Sequence, residues 1–143
     1  MKKSLCVVCV VSILLSQVPA GIAQTPFKKA LQSKYGFTSV SCYTCHSRKS
    51  EVPADQLAAF KKNGKAFRNS FGKEFDKHLK GKNVTKRLAD VKGLDSDDPK
   101  KVKVVDEVTK EFLDALTKVE VAKSSSDLTY GELLKKAMLD GVK

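Results

Sequence analysis

The chain has 143 residues and a formal net charge of +11, with 27 Lys and Arg residues against 16 Asp and Glu. This length suits one domain with a modest core and excludes a large multidomain architecture. The basic residues are scattered along the chain instead of forming one dense run, so they indicate a solvated surface and disfavour a nucleic-acid partner.

The amino-terminal 23 residues have the pattern of a secretory signal peptide. Residues 1–3 include two lysines, residues 5–15 form an almost unbroken apolar run, and small residues end the segment. The apolar run is too short for a membrane span, which needs about 20 residues. We therefore predict cleavage after Ala23, with Ala20 as the alternative. The mature chain is then a domain over residues 24–143 with no integral membrane segment. We expect this domain to be exported, which in bacteria means to the periplasm.

The first predicted element of this domain is a short helix over residues 26–35. Thr25 can cap its start, and Pro26 occupies the first helical position, where a missing amide proton does no harm. Gly36 supplies a stop signal after the last turn. Because no segment of the chain shows sustained alternation of apolar and polar residues, the sequence predicts an all-α fold.

Residues 42–46 read Cys-Tyr-Thr-Cys-His, the C-x-x-C-H spacing of a covalent attachment site for haem c. Each thiol can form a thioether to one haem vinyl group, and the following histidine is then placed under the iron as its proximal ligand. We therefore predict one covalent haem, held by Cys42 and Cys45, with His46 as an iron ligand. The haem would enlarge a modest core, so we expect the haem-free chain to be poorly folded.

Three other meanings of a cysteine pair fit the sequence less well. A redox disulfide of the thioredoxin type would need a strand-then-helix context, which the basic, turn-like flanks do not show. A structural zinc site needs four ligands, and beyond this motif the exported chain offers only His78 as a further thiol or imidazole ligand. A simple structural disulfide would leave His46 unexplained.

After a loop over residues 48–52, Pro53 opens a longer helical region that runs towards Leu79, with a break or kink at Asn63-Gly64. The second half of this region carries three aromatic residues and a histidine at intervals of four, four and three: Phe67, Phe71, Phe75 and His78. This spacing places them on one helical stripe, so we predict that the three rings line the haem pocket.

A surface connection with a short helix near residues 84–91 follows. We expect Ser96 to cap the next, long helix, with Pro99 in its first turn. Its periodic apolar residues predict a buried stripe: Val105, Val108, Phe112, Leu116 and Val119.

The last predicted helix begins at a capping box formed by Thr129 and Glu132. Gly141 is expected to close this helix. Its apolar side chains are expected to face inward: Leu133, Leu134, Ala137 and Met138.

The sequence leaves the sixth ligand of the iron open. His78 is the first choice because it is the only other histidine of the exported chain, and Met138 is the alternative. An open position, or one occupied by lysine, is the third possibility. The difference matters because a methionine sulfur raises the reduction potential, whereas a second imidazole gives a lower one.

These features resemble the small monohaem c-type cytochromes of bacteria. The closer likeness is to a group with an Asn-x-aromatic-Gly-Lys segment downstream of the haem motif, here Asn69-Ser70-Phe71-Gly72-Lys73. The likeness covers residues 30–79 and implies a small cytochrome c-like helical domain, wrapped around one haem, that carries electrons. Some relatives are thought to use a distal cysteine or to bind small gases, but this domain has no further cysteine. It also lacks the Pro-rich loop that presents methionine.

We therefore expect a carrier of single electrons between larger redox proteins, and not an enzyme. The basic surface would steer an acidic redox partner into contact, and the sequence leaves open whether the protein works alone or in a hetero- or homodimer. The alternative is a protein that binds or senses NO or CO at an open distal site. A peroxidase is less favoured, because only His78 could supply its distal acid–base group.

Overall fold

The computed structural model describes residues 25–143, and every structural statement below concerns that part of the chain. The predicted signal peptide, its cleavage position after Ala23 or Ala20, and the side chain of Thr25 as a helix cap lie outside what is described. In residues 25–143 no helix combines the length and apolar character that crossing a bilayer would require.

Six α-helices make up the described fold: α1 (Thr25–Tyr35), α2 (Leu57–Asn63), α3 (Ser70–Leu79), α4 (Val84–Asp90), α5 (Pro99–Glu120) and α6 (Tyr130–Lys135). Four single turns of 3₁₀ helix join them: Cys42–Thr44, Lys49–Glu51, Ala54–Gln56 and Gly64–Ala66. The described residues contain no β-strand, only three isolated bridges. The predicted all-α fold is confirmed.

Helix α5 is the centre of the fold, because α1, α3, α4 and α6 all pack against it. Its buried face carries Val108, Phe112, Ala115, Leu116 and Val119, which matches the predicted stripe except that Val105 is only partly buried. The predicted cap at Ser96 was wrong. Asp98 caps the helix instead and accepts a hydrogen bond from the Lys100 amide (2.8 Å), because a proline at the first helical position makes the preceding residue the cap.

The region from Pro53 to Leu79 is more divided than predicted. The break at Asn63-Gly64 is confirmed, but it continues as a 3₁₀ turn and an extended stretch before α3 begins at Ser70. The backbone of this stretch pairs with the loop after the cysteines, since the Ser47 amide donates to the Phe67 carbonyl (3.1 Å). Long-range pairing therefore overrides the local helical pattern, and the prediction of one continuous aromatic stripe was wrong.

Helix α6 begins at the predicted capping box but ends earlier than expected. Its Schellman motif has Ala137 in the left-handed region (φ 50°), with the Met138 amide donating to the Leu133 carbonyl at 2.8 Å. Leu134 is buried, whereas Ala137 and Met138 are exposed, so the prediction that both face inward was wrong. Gly141 lies beyond the helix and does not close it.

The residues after α6 return to the segment just before the C-x-x-C-H motif. The Ser41 amide donates to the Gly141 carbonyl (2.7 Å), and the Lys143 carbonyl accepts from the Thr38 amide at 2.7 Å. Gly141 has a φ of 80°, and a β-carbon there would lie 2.3 Å from the Ser41 hydroxyl oxygen. This position therefore requires glycine both for its backbone angle and for the close approach.

Candidate cofactor site

The cysteine motif forms one tight turn. The Ser41 hydroxyl accepts a hydrogen bond from the Tyr43 amide (3.2 Å) and caps this turn, while the His46 amide donates to the Cys42 carbonyl (3.0 Å). The turn brings Cys42 and Cys45 to the wall of the same cavity, and the two are not joined by a disulfide. Both thiols thus line one cavity.

The cavity has a volume of about 640 Å³, within the roughly 300–1,000 Å³ typical of cofactor and ligand sites. Three aromatic rings from α1, α3 and α5 form its floor and pack edge-on or tilted at centroid distances of 5.1 to 5.8 Å: Phe27, Phe75 and Phe112. Leu79, Val84 and Ala89 add further apolar wall. The charged side chains that line it are all cations: Lys28, Arg68 and Lys86.

Helix α4 forms the side of this cavity that the sequence pattern did not connect with the cysteines. Arg87 fixes α4 to the central helix by donating to Glu111 (2.7 Å) and to Glu107 (2.9 Å). Asn83, which precedes the helix in the left-handed region, also lines the cavity. Helix α4 is therefore fixed to α5 at this side of the cavity.

Asn69 clamps the cysteine turn to α3. Its side-chain nitrogen donates to the Tyr43 carbonyl (2.9 Å) and the Thr44 carbonyl (3.1 Å), and its backbone amide donates to the Cys45 carbonyl (3.1 Å). Its side-chain oxygen also accepts from the Gly72 amide (2.8 Å) and so caps the helix. One residue therefore satisfies polar groups of both elements and fixes their relative position.

Gly72 makes this close packing sterically feasible. A β-carbon at this position would lie 2.0 Å from the Cys45 carbonyl oxygen, whereas real β-carbons essentially never come within 3.0 Å of such an atom. The Asn-x-aromatic-Gly segment that the sequence resemblance singled out thus packs α3 closely against the cysteine turn. The asparagine bonds to the turn, and the glycine leaves room for the turn's backbone.

The His46 imidazole contacts Arg68, which lies at the cavity wall. The distance between Arg68 Nη1 and His46 Nε2 is 2.8 Å, and Arg68 Nε donates to Asp76 at 2.9 Å. The other ring nitrogen, His46 Nδ1, is buried and makes no well-aligned hydrogen bond, although the Phe67 backbone nearby favours a proton on the ring. Burial lowers the pKa of His46, and the neighbouring Arg68 charge lowers it further, so the imidazole is held neutral.

The two thiols differ in their surroundings. Cys42 is exposed, whereas Cys45 is partly buried, and burial raises the pKa of the Cys45 thiol to about 12 against the opposing effect of Arg68. Redox-active cysteines of the thioredoxin type have lowered pKa values because the thiolate is the nucleophile. The environment of Cys45 therefore favours a protonated thiol and disfavours disulfide-exchange chemistry.

Beyond the two cysteines, only Phe75 of the residues predicted for the site lines the cavity. His46 is not part of the wall and meets it through Arg68. Phe71 is buried next to it and packs on the Tyr130 ring (5.4 Å), whereas Phe67 packs on Phe60 (5.4 Å) outside the cavity. Neither candidate for the sixth ligand lies at the wall. The His78 side chain is 29% exposed with its Nε2 3.8 Å from Glu74, and Met138 is 60% exposed.

Sequence reasoning missed most of the wall, including its charged residues and two of its three aromatic rings: Phe27, Lys28, Arg68, Lys86 and Phe112. They belong to four different segments, and no spacing along the chain connects them. One local signal was present, because Arg68 directly precedes the Asn69 of the segment that the resemblance singled out.

In the described part of the chain, no three Cys, His, Asp or Glu side chains come together as a metal-binding group. A haem iron does not require such a group, because the porphyrin supplies four of its ligands. Comparisons of the chain with protein-family models, with curated proteins and with solved structures gave no match.

Proposed function

We propose that this protein is an exported monohaem c-type cytochrome that passes single electrons between redox proteins. One observation carries the proposal: both thiols of a C-x-x-C-H motif open onto the same cavity, and Arg68 of the cavity wall contacts the motif's histidine. An isolated pair of thiols would need no such cavity.

The chemistry of the cavity wall fits a haem. Haem is a flat apolar macrocycle with two carboxylates on one edge, and this wall combines apolar and aromatic side chains with three cations and no carboxylate. Each thiol could add its S–H across a vinyl double bond, which forms a thioether with no leaving group and no oxidant. The protonated state of Cys45 is compatible with that addition.

Within this proposal, the bound haem would supply a one-electron couple, and the chain would hold and insulate it. The ring floor excludes water from one side, and Asn69 keeps the cysteine turn in place. Lys28 and Lys86 put positive charge at the cavity, where they would neutralise haem carboxylates or attract an acidic partner protein. No bond to a substrate is made, so the protein is not an enzyme in this proposal.

A second candidate function is binding of a small gas at an open distal position. The observation that favours it is the placement of His78 and Met138, neither of which lines the cavity. His78 could become the sixth ligand only if the last turn of α3 rearranged, because its neighbour Leu79 is the residue that lines the wall. A lysine of the wall, or no protein ligand, would need no rearrangement of that turn.

The test is secretion of the chain from a host with a working cytochrome c maturation system. The intact mass of the product is measured, and absorption spectra are recorded in both oxidation states with and without carbon monoxide. A mass increased by one haem, lost in a variant with both cysteines changed to alanine, would support a c-type cytochrome. A bare polypeptide mass would reject it.

The same spectra separate the carrier from the gas-binding protein. A six-coordinate low-spin ferrous form that ignores carbon monoxide supports the carrier, and a high-spin form that takes up the gas supports the second function. His78→Ala and Met138→Ala variants then identify the ligand, since the correct one would convert the low-spin spectrum to high-spin. Both variants change surface-accessible side chains and are expected to fold.

A further inference from the structure

The guanidinium of Arg68 contacts His46 Nε2, the ring nitrogen that would bind a haem iron. Its Nη1 lies 2.8 Å from His46 Nε2, and the backbones of the two residues pair in an isolated antiparallel bridge. Asp76 holds the other side of the guanidinium through Nε at 2.9 Å. The contact is therefore fixed by the pairing of the two backbones and by the ion pair between Arg68 and Asp76.

This contact determines the tautomer of His46. Arginine stays protonated in proteins and can only donate, so His46 Nε2 must accept, and the single proton of the neutral ring must sit on Nδ1. That tautomer leaves the Nε2 lone pair facing the Arg68 cation. Ligation of iron through Nε2 requires the same tautomer and the same lone pair.

The other ring nitrogen fits the same tautomer. His46 Nδ1 is buried and makes no well-aligned hydrogen bond, although the nearby Phe67 backbone favours a proton on the ring. The opposite tautomer would point an N–H at the Arg68 cation. The charged contact at Nε2 is therefore the well-defined polar contact that orients the imidazole.

We propose that Arg68 is a placeholder for the iron cation. Before haem binds, Arg68 keeps His46 in the neutral, Nδ1-protonated form that can ligate iron. Once the iron displaces the guanidinium from His46, the guanidinium stays bound to Asp76. Arg68 is thus a positioning residue that acts through His46. This inference rests on the proposed function, because it assumes that the arriving cation is a haem iron.

The first measurement uses the full chain, expressed without maturation proteins and labelled with ¹⁵N, under reducing conditions. Long-range proton–nitrogen spectra report which ring nitrogen carries the proton, and the more exposed His78 serves as an internal reference. We expect His46 to be protonated on Nδ1 in the parent chain and in Arg68→Lys, since lysine also only donates. Arg68→Ala should shift the ring towards the Nε2-protonated form.

The second measurement is the fraction of secreted chain that carries haem when maturation proteins are limiting. Residues that orient a ligand typically change metal affinity by about 10–100-fold, so we expect on the order of tenfold less attachment in Arg68→Ala. Arg68→Lys should recover part of the loss. The matched control is Lys34→Ala, which removes an equally exposed, ion-paired cation that does not line the cavity.

The outcomes separate the two proposals. If the parent chain never acquires haem, the proposed function is wrong. If it does, but Arg68→Ala attaches haem as well as the parent and the His46 tautomer does not change, only the placeholder inference is overturned. Should the haem-free chain give the spectrum of an unfolded polypeptide, the attachment measurement decides alone, and equal loss in Arg68→Ala and Lys34→Ala would reject the inference.

Discussion

Replacement of Gly72 by alanine tests whether close packing of α3 on the cysteine turn holds the site together. The new β-carbon would lie 2.0 Å from the Cys45 carbonyl oxygen and 2.9 Å from the carbonyl carbon. Both belong to backbone, which cannot rotate away as a long side chain could. To restore the 3.0 Å minimum, α3 and the turn must separate by about 1 Å.

A separation of that size would break the three hydrogen bonds from Asn69 to the turn, which are 2.9 to 3.1 Å long. At about 1 kcal/mol each, their loss costs roughly 3 kcal/mol. Overpacking strain adds about 1–3 kcal/mol, while the better helix propensity of alanine returns about 1 kcal/mol. We therefore expect Gly72→Ala to lower the free energy of unfolding by about 3–5 kcal/mol.

The assay is denaturant unfolding of the purified protein, followed by far-UV circular dichroism and by the haem absorption where haem is present. Gly93→Ala is the matched control, because a β-carbon there meets nothing within 4 Å, and we expect a change of about 0.5 kcal/mol or less. If the two variants are equally stable, the close approach of α3 does not support the fold, and our account of the Asn-x-aromatic-Gly segment is wrong.

Three further predictions follow from the same geometry. Asn69→Asp keeps the oxygen that caps α3 but removes the two donors to the turn, so haem attachment should fall more than helix content does. Equal losses of haem attachment and helix content would show that Asn69 does not clamp the turn. Arg48 lowers the pKa of Asp140 chiefly by hydrogen bonding, so their pairing stabilises the fold above about pH 4 and is lost as pH falls through the folded value. The stability of Asp140→Asn should therefore depend less on pH in that range, and a pH profile identical to the parent's would refute this. Thr129→Ala removes a helix cap and should cost about 1 kcal/mol in denaturant unfolding while leaving haem attachment unchanged.

The helix positions that local chemistry controls could be predicted from the sequence. The bounds of α1 and α4 and the start of α6 were predicted to within a residue, because proline, glycine and capping residues act over one turn. The end of α6 could not, since its Schellman motif uses Ala137 in a conformation for which alanine gives no signal. The extended stretch before α3 was also missed, because its hydrogen-bond partners lie about 20 residues away in the cysteine loop.

The candidate site divides in the same way. Cys42, Cys45 and His46 lie within five consecutive residues, so their spacing alone predicts a haem attachment site. The wall that surrounds them is built from segments that meet only in the folded chain. Phe112 could be recognised as a core residue from its period, but nothing in that period says that one side of its ring borders a cavity. Arg68 gave no signal of its contact with His46 for the same reason.

The pairing of residues 141–143 with residues 38–41 has a consequence for the order of assembly. The Thr38 hydroxyl and the Lys143 carbonyl that it contacts are 105 positions apart, which is among the largest loop closures this chain can make. Such contacts form late, because their entropic cost must be met by structure already in place. The segment leading into the cysteine turn thus reaches its final geometry only after the helices have docked. In the proposed function, the enzymes that attach the haem would therefore act on a flexible segment that becomes ordered afterwards.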